Sequence, residues 1–496
     1  MKQPFLGGYM KSISVREIAE AVEGKIIAGD ENVKIQSVSI NSKEIEEGAL
    51  FVPIIGEKVD AHKFISMALE AGAVATFASR EIEEYIPGKV YIQVEDTVVA
   101  LQKAAAYYRN QFSVTVIGIT GSVGKTTTKE MIASTLETKY KVLKTKGNMN
   151  SQIGLPLMMF YIEEDTQIAV IEMGMSEVGE MQRLSAIARP DMAVLTNIGV
   201  SHIGQLGSQE NIRKEKMNII DEFQADSPVF VNGNDPLLYE MKGFSENSKS
   251  GKMPEESLFD RATREKLSMI QIKTYGTEGE YDFIAENVET EGNGTKFVYR
   301  TNGKKEEIRL SVLGMHNVFN ATVALAIAEQ LGIELAVAKE GLENYQPISM
   351  RGQIFENNGM KIIDDTYNAS PDSMKSGISV LLELDGVTRR IAILADVLEL
   401  GEVSCDCHYG VGSFIGEATS NGKKIDMVLT VGKEAKAIAK GVEDKNKEIQ
   451  TKCFENNGEV IKYIKEIAKS GDGILLKGSR GMHMEEVVEA LKNEIC

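Results

Sequence analysis

Scarcity narrows this 496-residue chain first: it has four cysteines, ten prolines and no basic excess. The cysteines, at 405, 407, 453 and 496, are too few to staple a chain of this length. Cys405 and Cys407 form a CxC pair with no second pair to complete a zinc site, so free thiols are expected. No apolar run reaches the roughly 18 residues that cross a bilayer, so no membrane insertion is expected. The N-terminal MKQPFLGGYMKSISVREIAE lacks the apolar segment of a secretory signal, and a cytoplasmic location follows as an expectation. Its first nine residues look like an extension ahead of a second start at Met10. Net charge is −18 with no Lys/Arg run to offset it, which argues against a nucleic-acid partner, because a phosphate backbone would be repelled over most of the surface.

What is present is an ordinary globular composition, 43% hydrophobic and 26% charged. The length exceeds one hydrophobic core and predicts about three domains. Residues 13–97 alternate short strand and helix patterns and end in KVYIQVEDTVVALQKAAAYYRNQF, a strand followed by an amphipathic helix suited to a connector. From 114 onward, the buried-type strands VTVIGI, IAVIEM, MAVLTN and PVFVN alternate with helical stretches such as VGEMQRLSAIA. That rhythm is the mark of βαβ units and a parallel sheet. A second series, MKIIDD, RIAILAD, DMVLTV and GILLK, predicts another α/β sheet. The expected fold is therefore α/β in three domains: residues 1–112, a central P-loop parallel-sheet domain over 113–346, and a Rossmann-like domain over 347–496. The polar stretch between 241 and 270 shows no strand character and reads as a surface excursion.

The chemistry starts at VTVIGITGSVGKTTTKEMI, residues 114–132. A strand empties into a glycine loop, and a lysine and threonines open a helix. Those parts cradle a polyphosphate and Mg²⁺, because backbone N–H groups, an ammonium and a hydroxyl converge on one point. The common GxxxxGK(S/T) spacing fails, since Ile119 stands five before Gly124; the loop is the shorter Gly121-Ser122-Val123-Gly124-Lys125-Thr126. Lys125 is the expected contact to the terminal phosphate of ATP and Thr126 the expected Mg²⁺ ligand. Backbone amides from Gly121 through Ser122, Val123 and Gly124 to Thr127 are expected to hold the phosphates.

TGSVGKTTT resembles the ATP loop of the Mur ligases, the ATP-dependent amide-forming enzymes of peptidoglycan synthesis. The resemblance runs on in family order through KTKGNMNSQIGLP, IEMGMSEVGEM, TNIGVSHIGQLGSQENIRKEKMNII, LGMHNVFNATVALAIA, MRGQIFENNGMKIIDDTYNASPDSM, ILADVLELGEVSCDCH and LLKGSRGMHMEEVVEAL. Near the N-terminus, NSKEIEEGALFVPIIGEKVDAHKF is similar to the family's UDP-binding segment. DDTYNASPDSM and LADVLELG look like the member that adds D-alanyl-D-alanine to UDP-N-acetylmuramoyl-tripeptide. The small-molecule partners implied are those two substrates, with ATP and Mg²⁺ as cofactors, an acyl-phosphate intermediate, and a monomer.

Residue by residue, the resemblance implies that Glu172 and His202, after successive strands of the P-loop sheet, contact Mg²⁺. It implies that Lys216 is a carbamate, able as an anion to help bind the metal; the family's acidic residue two positions later is Asn218 here. Asn320 is implied to meet adenine, and Asn317 is either a nucleotide contact, a cap of the same helix, or both. Arg351 and Asp365, beyond a hinge near 346, are implied to reach phosphate and ribose from the third domain; Asp365 also fits a strand-end turn. Asn148, Asn150 and Ser151 are implied to approach the muramoyl end, with Ser151 replacing the second residue of a usual Asn-Asn pair. Ser42 stands in the family's uridine-diphosphate triplet, flanked here by Asn41 and Lys43. Asn368, Lys477, Ser479 and Arg480 are candidates to meet the amine substrate, with Arg480 placed to clamp its carboxylate; the alternative for KGSR is a surface turn. Two other functions share parts of this pattern: a different Mur-type or folylpolyglutamate-type amide ligase, and a non-catalytic nucleotide-binding module.

Overall fold

The structure is a computed structural model describing residues 10–249 and 261–493. Among them, Cys405, Cys407 and Cys453 are free thiols; Cys496 lies outside the described residues. No helix among the described residues is long and apolar enough to cross a membrane.

Three large sheets organise the chain, and each follows from runs of β-branched and aliphatic residues. The N-terminal sheet has five strands in the order Lys25–Ala28, Val90–Gln93, Ala75–Ala78, Ala49–Phe51, Ser37–Ser39. Helix Thr97–Arg109 leads out of it, opened by Asp96, whose carboxylate accepts from the N–H groups of Val98 and Val99 at 2.7 and 3.0 Å. Its buried face, including Ala100, Leu101, Ala104 and Tyr108, joins a core shared with the central sheet.

The central sheet has nine strands. From one edge to the other they are Lys304–Leu310, Gly294–Thr301, Phe283–Glu291, Gln271–Gly276, Pro228–Asn232, Met192–Leu195, Thr115–Thr120, Ile168–Glu172 and Val142–Lys144. Seven pair in parallel; the segment Phe283–Leu310 adds an antiparallel meander, so the expected parallel sheet is mixed at one edge. Every residue of Ile168–Glu172 and Pro228–Asn232 is buried, and each fully buried Val or Ile there contributes about 1.5–3 kcal/mol. After Thr115–Thr120 the chain fills one side of the sheet and then crosses to the other. The P-loop strand is thereby left at the switch point, where open α/β sheets bind ligands.

The stretch 241–270 is a difference from expectation. Its described residues are mostly helical, in Pro236–Lys249 and Arg261–Met269, and Met241, Leu267 and Ile270 are buried in the central core; residues 250–260 lie outside the described residues. A polar majority hid a narrow apolar stripe.

The C-terminal sheet has six strands ordered Gln353–Asn357, Met360–Asp364, Asp472–Lys477, Arg389–Ala395, Met427–Val431, Gln450–Phe454. All pair in parallel except the first, an antiparallel edge. The C-terminal ends of its strands face those of the central sheet across a cleft, with residues of both lining it.

Candidate functional site

The P-loop is shaped by contacts that exclude other residues. Gly121 has φ +151° and an added Cβ would lie 1.9 Å from Thr196 Oγ1, so only glycine fits against the next strand's end. Gly124, at φ +87°, is the N-cap of helix Lys125–Leu136. Asn197 clamps the loop: its Oδ1 accepts from the N–H groups of Ser122 and Val123 at 3.1 and 2.9 Å. Two of the amides expected to hold phosphate are therefore occupied. The N–H groups of Lys125, Thr126 and Thr127 open the helix without intrahelical partners and remain available to an anion.

Glu172, at the end of its strand and 3% exposed, organises the floor. Its Oε2 accepts from Thr126 Oγ1 at 2.9 Å and its Oε1 from Asn150 Nδ2 at 2.7 Å, while its own N–H donates to Thr145 Oγ1 at 2.8 Å. Lys125 Nζ donates to the Gly121 carbonyl at 2.7 Å. Burial lowers the pKa of Lys125; Glu172 and Glu399 oppose that shift and Arg351 adds to it. Lys216, 2% exposed, lies close enough to feel the Lys125 charge, and its ammonium has no side-chain hydrogen bond or ion pair among the described residues. Burial first and the Lys125 charge second push its pKa well below the ordinary value.

The opposite wall comes from the C-terminal sheet. Lys477, 2% exposed, donates to Asp365 Oδ2 at 2.5 Å and to the Asn368 carbonyl at 3.0 Å. The Arg351 guanidinium lies 3.9 Å from the Tyr367 ring centroid. His316, at the start of helix Met315–Gln330, has its pKa lowered by burial, with Asp365 acting against this. Glu399 Oε2 lies 3.0 Å from His202 Nδ1, and that contact holds the Glu399 carboxyl below its usual range.

Together these side chains enclose a cavity of about 340 Å³. Of the residues expected from sequence, Ser122 to Thr127, Asn150, Ser151, Glu172, His202, Asn317, Arg351, Asp365, Asn368 and Lys477 line it. Others do not. Asn148 is exposed beside it, and Asn320 is 5% exposed with its Oδ1 accepting from Thr128 Oγ1 at 2.9 Å. Asn317, which does line the cavity, is not the helix cap, which is Gly314; its Nδ2 donates to the Leu313 carbonyl at 2.7 Å. Ser479 is turned into a loop, where its Oγ accepts from the Leu398 N–H at 3.0 Å. Arg480 is not among the lining residues: its guanidinium meets Glu485 at 3.3 Å, while its N–H donates to Oδ1 of the lining Asn368 at 3.4 Å. Ser42 lies outside a second cavity of about 380 Å³, whose walls include Asn41, Glu44 and Ile45 from the N-terminal region and Met149, Leu157 and Tyr161 from the central one. Sequence reasoning missed Asn197, His316, Tyr367 and Glu399. All four sit in motifs already noticed, but their geometry is set by partners far away in the chain.

Family models match along nearly the whole chain: the Mur ligase family catalytic domain over residues 34–109, the Mur ligase middle domain over 119–257 and 254–328, and the Mur ligase glutamate ligase domain over 350–480. The chain belongs to the Mur ligase family. Among curated Mur ligases it is 37% identical to the UDP-N-acetylmuramoyl-tripeptide--D-alanyl-D-alanine ligase of Bacillus subtilis (strain 168), over 96% of this chain and 98% of that one. It is 30% identical to the protein of the same name from Escherichia coli (strain K12), over 98% and 100%. A crystal structure of MurF from Acinetobacter baumannii superposes with a TM-score of 0.85 at 29% identity, covering 97% and 99% of the two chains. MurF ligase from Thermotoga maritima in complex with ADP gives 0.77 at 30% identity, covering 92% and 97%.

The donor set fits the Mg²⁺ implied by this family. Among the described residues no three His, Cys, Asp or Glu side chains cluster as a metal cage. One hydroxyl and one buried carboxylate, 2.9 Å apart beside the loop, suit an ion that keeps waters and takes its other oxygens from phosphates.

Proposed function

We propose that this chain is an ATP-dependent amide ligase that joins D-alanyl-D-alanine to UDP-N-acetylmuramoyl-tripeptide, releasing ADP and phosphate, in the synthesis of peptidoglycan precursors. The observation that carries the reading is the linked set Asn150–Glu172–Thr126 beside Lys125, at the switch point of the sheet and facing the C-terminal wall.

The terminal carboxylate of the tripeptide attacks the γ-phosphorus of ATP, and ADP leaves. The dipeptide amine then attacks the carbonyl carbon of the acyl phosphate, and phosphate leaves with the amide formed. Both steps concentrate negative charge, so positioning and charge stabilisation dominate. Lys125 exchanges its Gly121 carbonyl for the γ-phosphate, and the first N–H groups of its helix take phosphate oxygens. Thr126 and Glu172 would hold Mg²⁺, with His202 and a carbamylated Lys216 as further contacts. Bound there, the ion neutralises the phosphate charge. The lowered pKa of Lys216 supports carbamylation, because the neutral amine is the form that adds CO₂. Arg351 and Asp365 reach ATP from the opposite wall, with Asn317 and His316 at the base end. The second cavity suits the uridine-diphosphate end, and Asn150 and Ser151 the peptide approaching Lys125. Asn368 and Lys477 face the incoming dipeptide.

The reading divides the chain into a UDP-substrate domain over 1–112, an ATP domain over 113–346 and an amine-substrate domain over 347–496, working as a cytoplasmic monomer. The test is purified protein with ATP, Mg²⁺ and both substrates, with mass detection of the pentapeptide product and a control without dipeptide. Product dependent on all components is expected. Phosphate release or product only with other acids or amines would give the chain to a different amide ligase, and no turnover with any would leave a nucleotide-binding module.

A further inference from the structure

The segment after strand Met192–Leu195 belongs to the central sheet by connection but packs on the C-terminal one. Val200 and Ile203 lie against the C-terminal hydrophobic core. The two backbones nearly touch: a Cβ added at Gly204 would lie 3.2 Å from the N of Gly401 and 3.3 Å from the Glu399 carbonyl. At Gly199 it would meet Asp372 Oδ2 at 2.3 Å. His202 sits in the middle of this segment in the left-handed region, φ +64°, a conformation that costs energy for a residue with a side chain. Its Nδ1 is taken by Glu399 Oε2 at 3.0 Å, and its Nε2 has no partner among the described residues while the residue lines the cleft.

The two residues before Glu399 are themselves held. The Val397 N–H donates to His408 Nε2 at 3.0 Å, and the Leu398 N–H donates to Ser479 Oγ at 3.0 Å. His408 is 1% exposed and its Nδ1 lies 2.7 Å from the Ser404 carbonyl, so the ring is fixed in turn. The carboxylate is thus presented by a rigid loop of one domain to an imidazole on a strained loop of another.

We propose that Glu399 is a positioning residue of the ligase reaction: from the C-terminal domain it takes Nδ1 of His202 and leaves Nε2 to the phosphate-binding cleft. The imidazole is then set only while the two domains are docked, which links docking to the readiness of the metal and phosphate site. A carboxylate on one ring nitrogen fixes the tautomer and makes the other nitrogen a better ligand, and losing such a partner costs about 10–100-fold in metal affinity. The inference rests on the proposed place of His202 beside Mg²⁺.

The test compares Glu399→Ala, His202→Ala, the double variant and Glu399→Gln in the full chain. The probe is Mn²⁺ binding followed by electron paramagnetic resonance, with a non-hydrolysable ATP analogue present, and thermal melting reports folding. Glu399→Ala is expected to weaken Mn²⁺ about 10–100-fold, and the double variant to match His202→Ala. Glu399→Gln, whose amide oxygen still accepts from Nδ1, is expected to stay within about threefold of the parent if the hydrogen bond carries the effect. Additive losses in the double variant, or a Glu399→Gln variant that folds yet binds as weakly as Glu399→Ala, would overturn the proposal. If His202→Ala weakens Mn²⁺ and Glu399→Ala does not, the proposal falls and the place of His202 stands; if neither does, both fall.

Discussion

Replacing Lys125 by Met separates what this residue does for catalysis from what it does for the fold. Its ammonium makes one short bond, to the Gly121 carbonyl at 2.7 Å, worth about 1.5–3 kcal/mol because the donor is charged. Against that stands repulsion: Lys125 is a cause of the lowered pKa of Lys216, and Arg351 in turn lowers that of Lys125. The two effects have opposite signs, so the net loss stays below the worth of the hydrogen bond and should move the melting temperature of a chain this long by no more than about 4 °C. During phosphoryl transfer nothing offsets the loss. Removing one preorganised donor aimed at developing negative charge costs about 2.7–4 kcal/mol, or 10²–10³ in kcat. Coupled-enzyme detection of ADP gives kcat, and calorimetry gives the melt. An activity loss under tenfold would take Lys125 out of the transfer step, and a drop in melting temperature above 10 °C would make it a structural residue; either would refute the reasoning.

Other outcomes follow from the same geometry. In the uncarbamylated protein, Lys216 has a folded pKa depressed from its ordinary 10.5, so the unfolded chain binds the extra proton between the two values. Stability should therefore rise with pH through that window and fall as pH drops through the lowered pKa; Lys216→Met, melted in CO₂-free buffers, should flatten that slope and melt higher near neutrality. Thr126→Ser keeps the hydroxyl on Glu172 and should stay within about tenfold of the parent, whereas Thr126→Ala should lose about 10² in kcat and demand more Mg²⁺, read from a magnesium titration of turnover. Lys477→Met strips Asp365 of its ammonium; with Asp365 24% exposed, a cost near the lower end for a broken buried pair, about 3 kcal/mol, is expected in denaturant melts, and Asp365→Asn in the same chain should return part of it.

The parallel strands were legible because they are buried on both faces and so read as unbroken apolar runs; Ile168–Glu172 and Arg389–Ala395 are examples. The meander was not, because FIAENVETE and KKEEIRL carry charge on a solvent face and their apolar residues alone are too sparse to announce a strand. In the site, Lys125, Thr126 and Glu172 were readable since strand, loop and helix fix them locally. The local partners of Asn320 and Ser479 were not readable, because a motif gives a residue's position in the chain and not the group it turns to, here Thr128 and the Leu398 N–H. Glu399 escaped because its partner, His202, belongs to another sheet.

The claim under all of this is that the peptide carboxylate is activated as an acyl phosphate at the loop around Lys125. The direct measurement is turnover with ¹⁸O in the terminal carboxylate of the UDP-N-acetylmuramoyl-tripeptide, followed by mass analysis of the phosphate released. One ¹⁸O per phosphate is expected, because that oxygen bridges carbon and phosphorus before the amine arrives. Pentapeptide formed alongside unlabelled phosphate would contradict it.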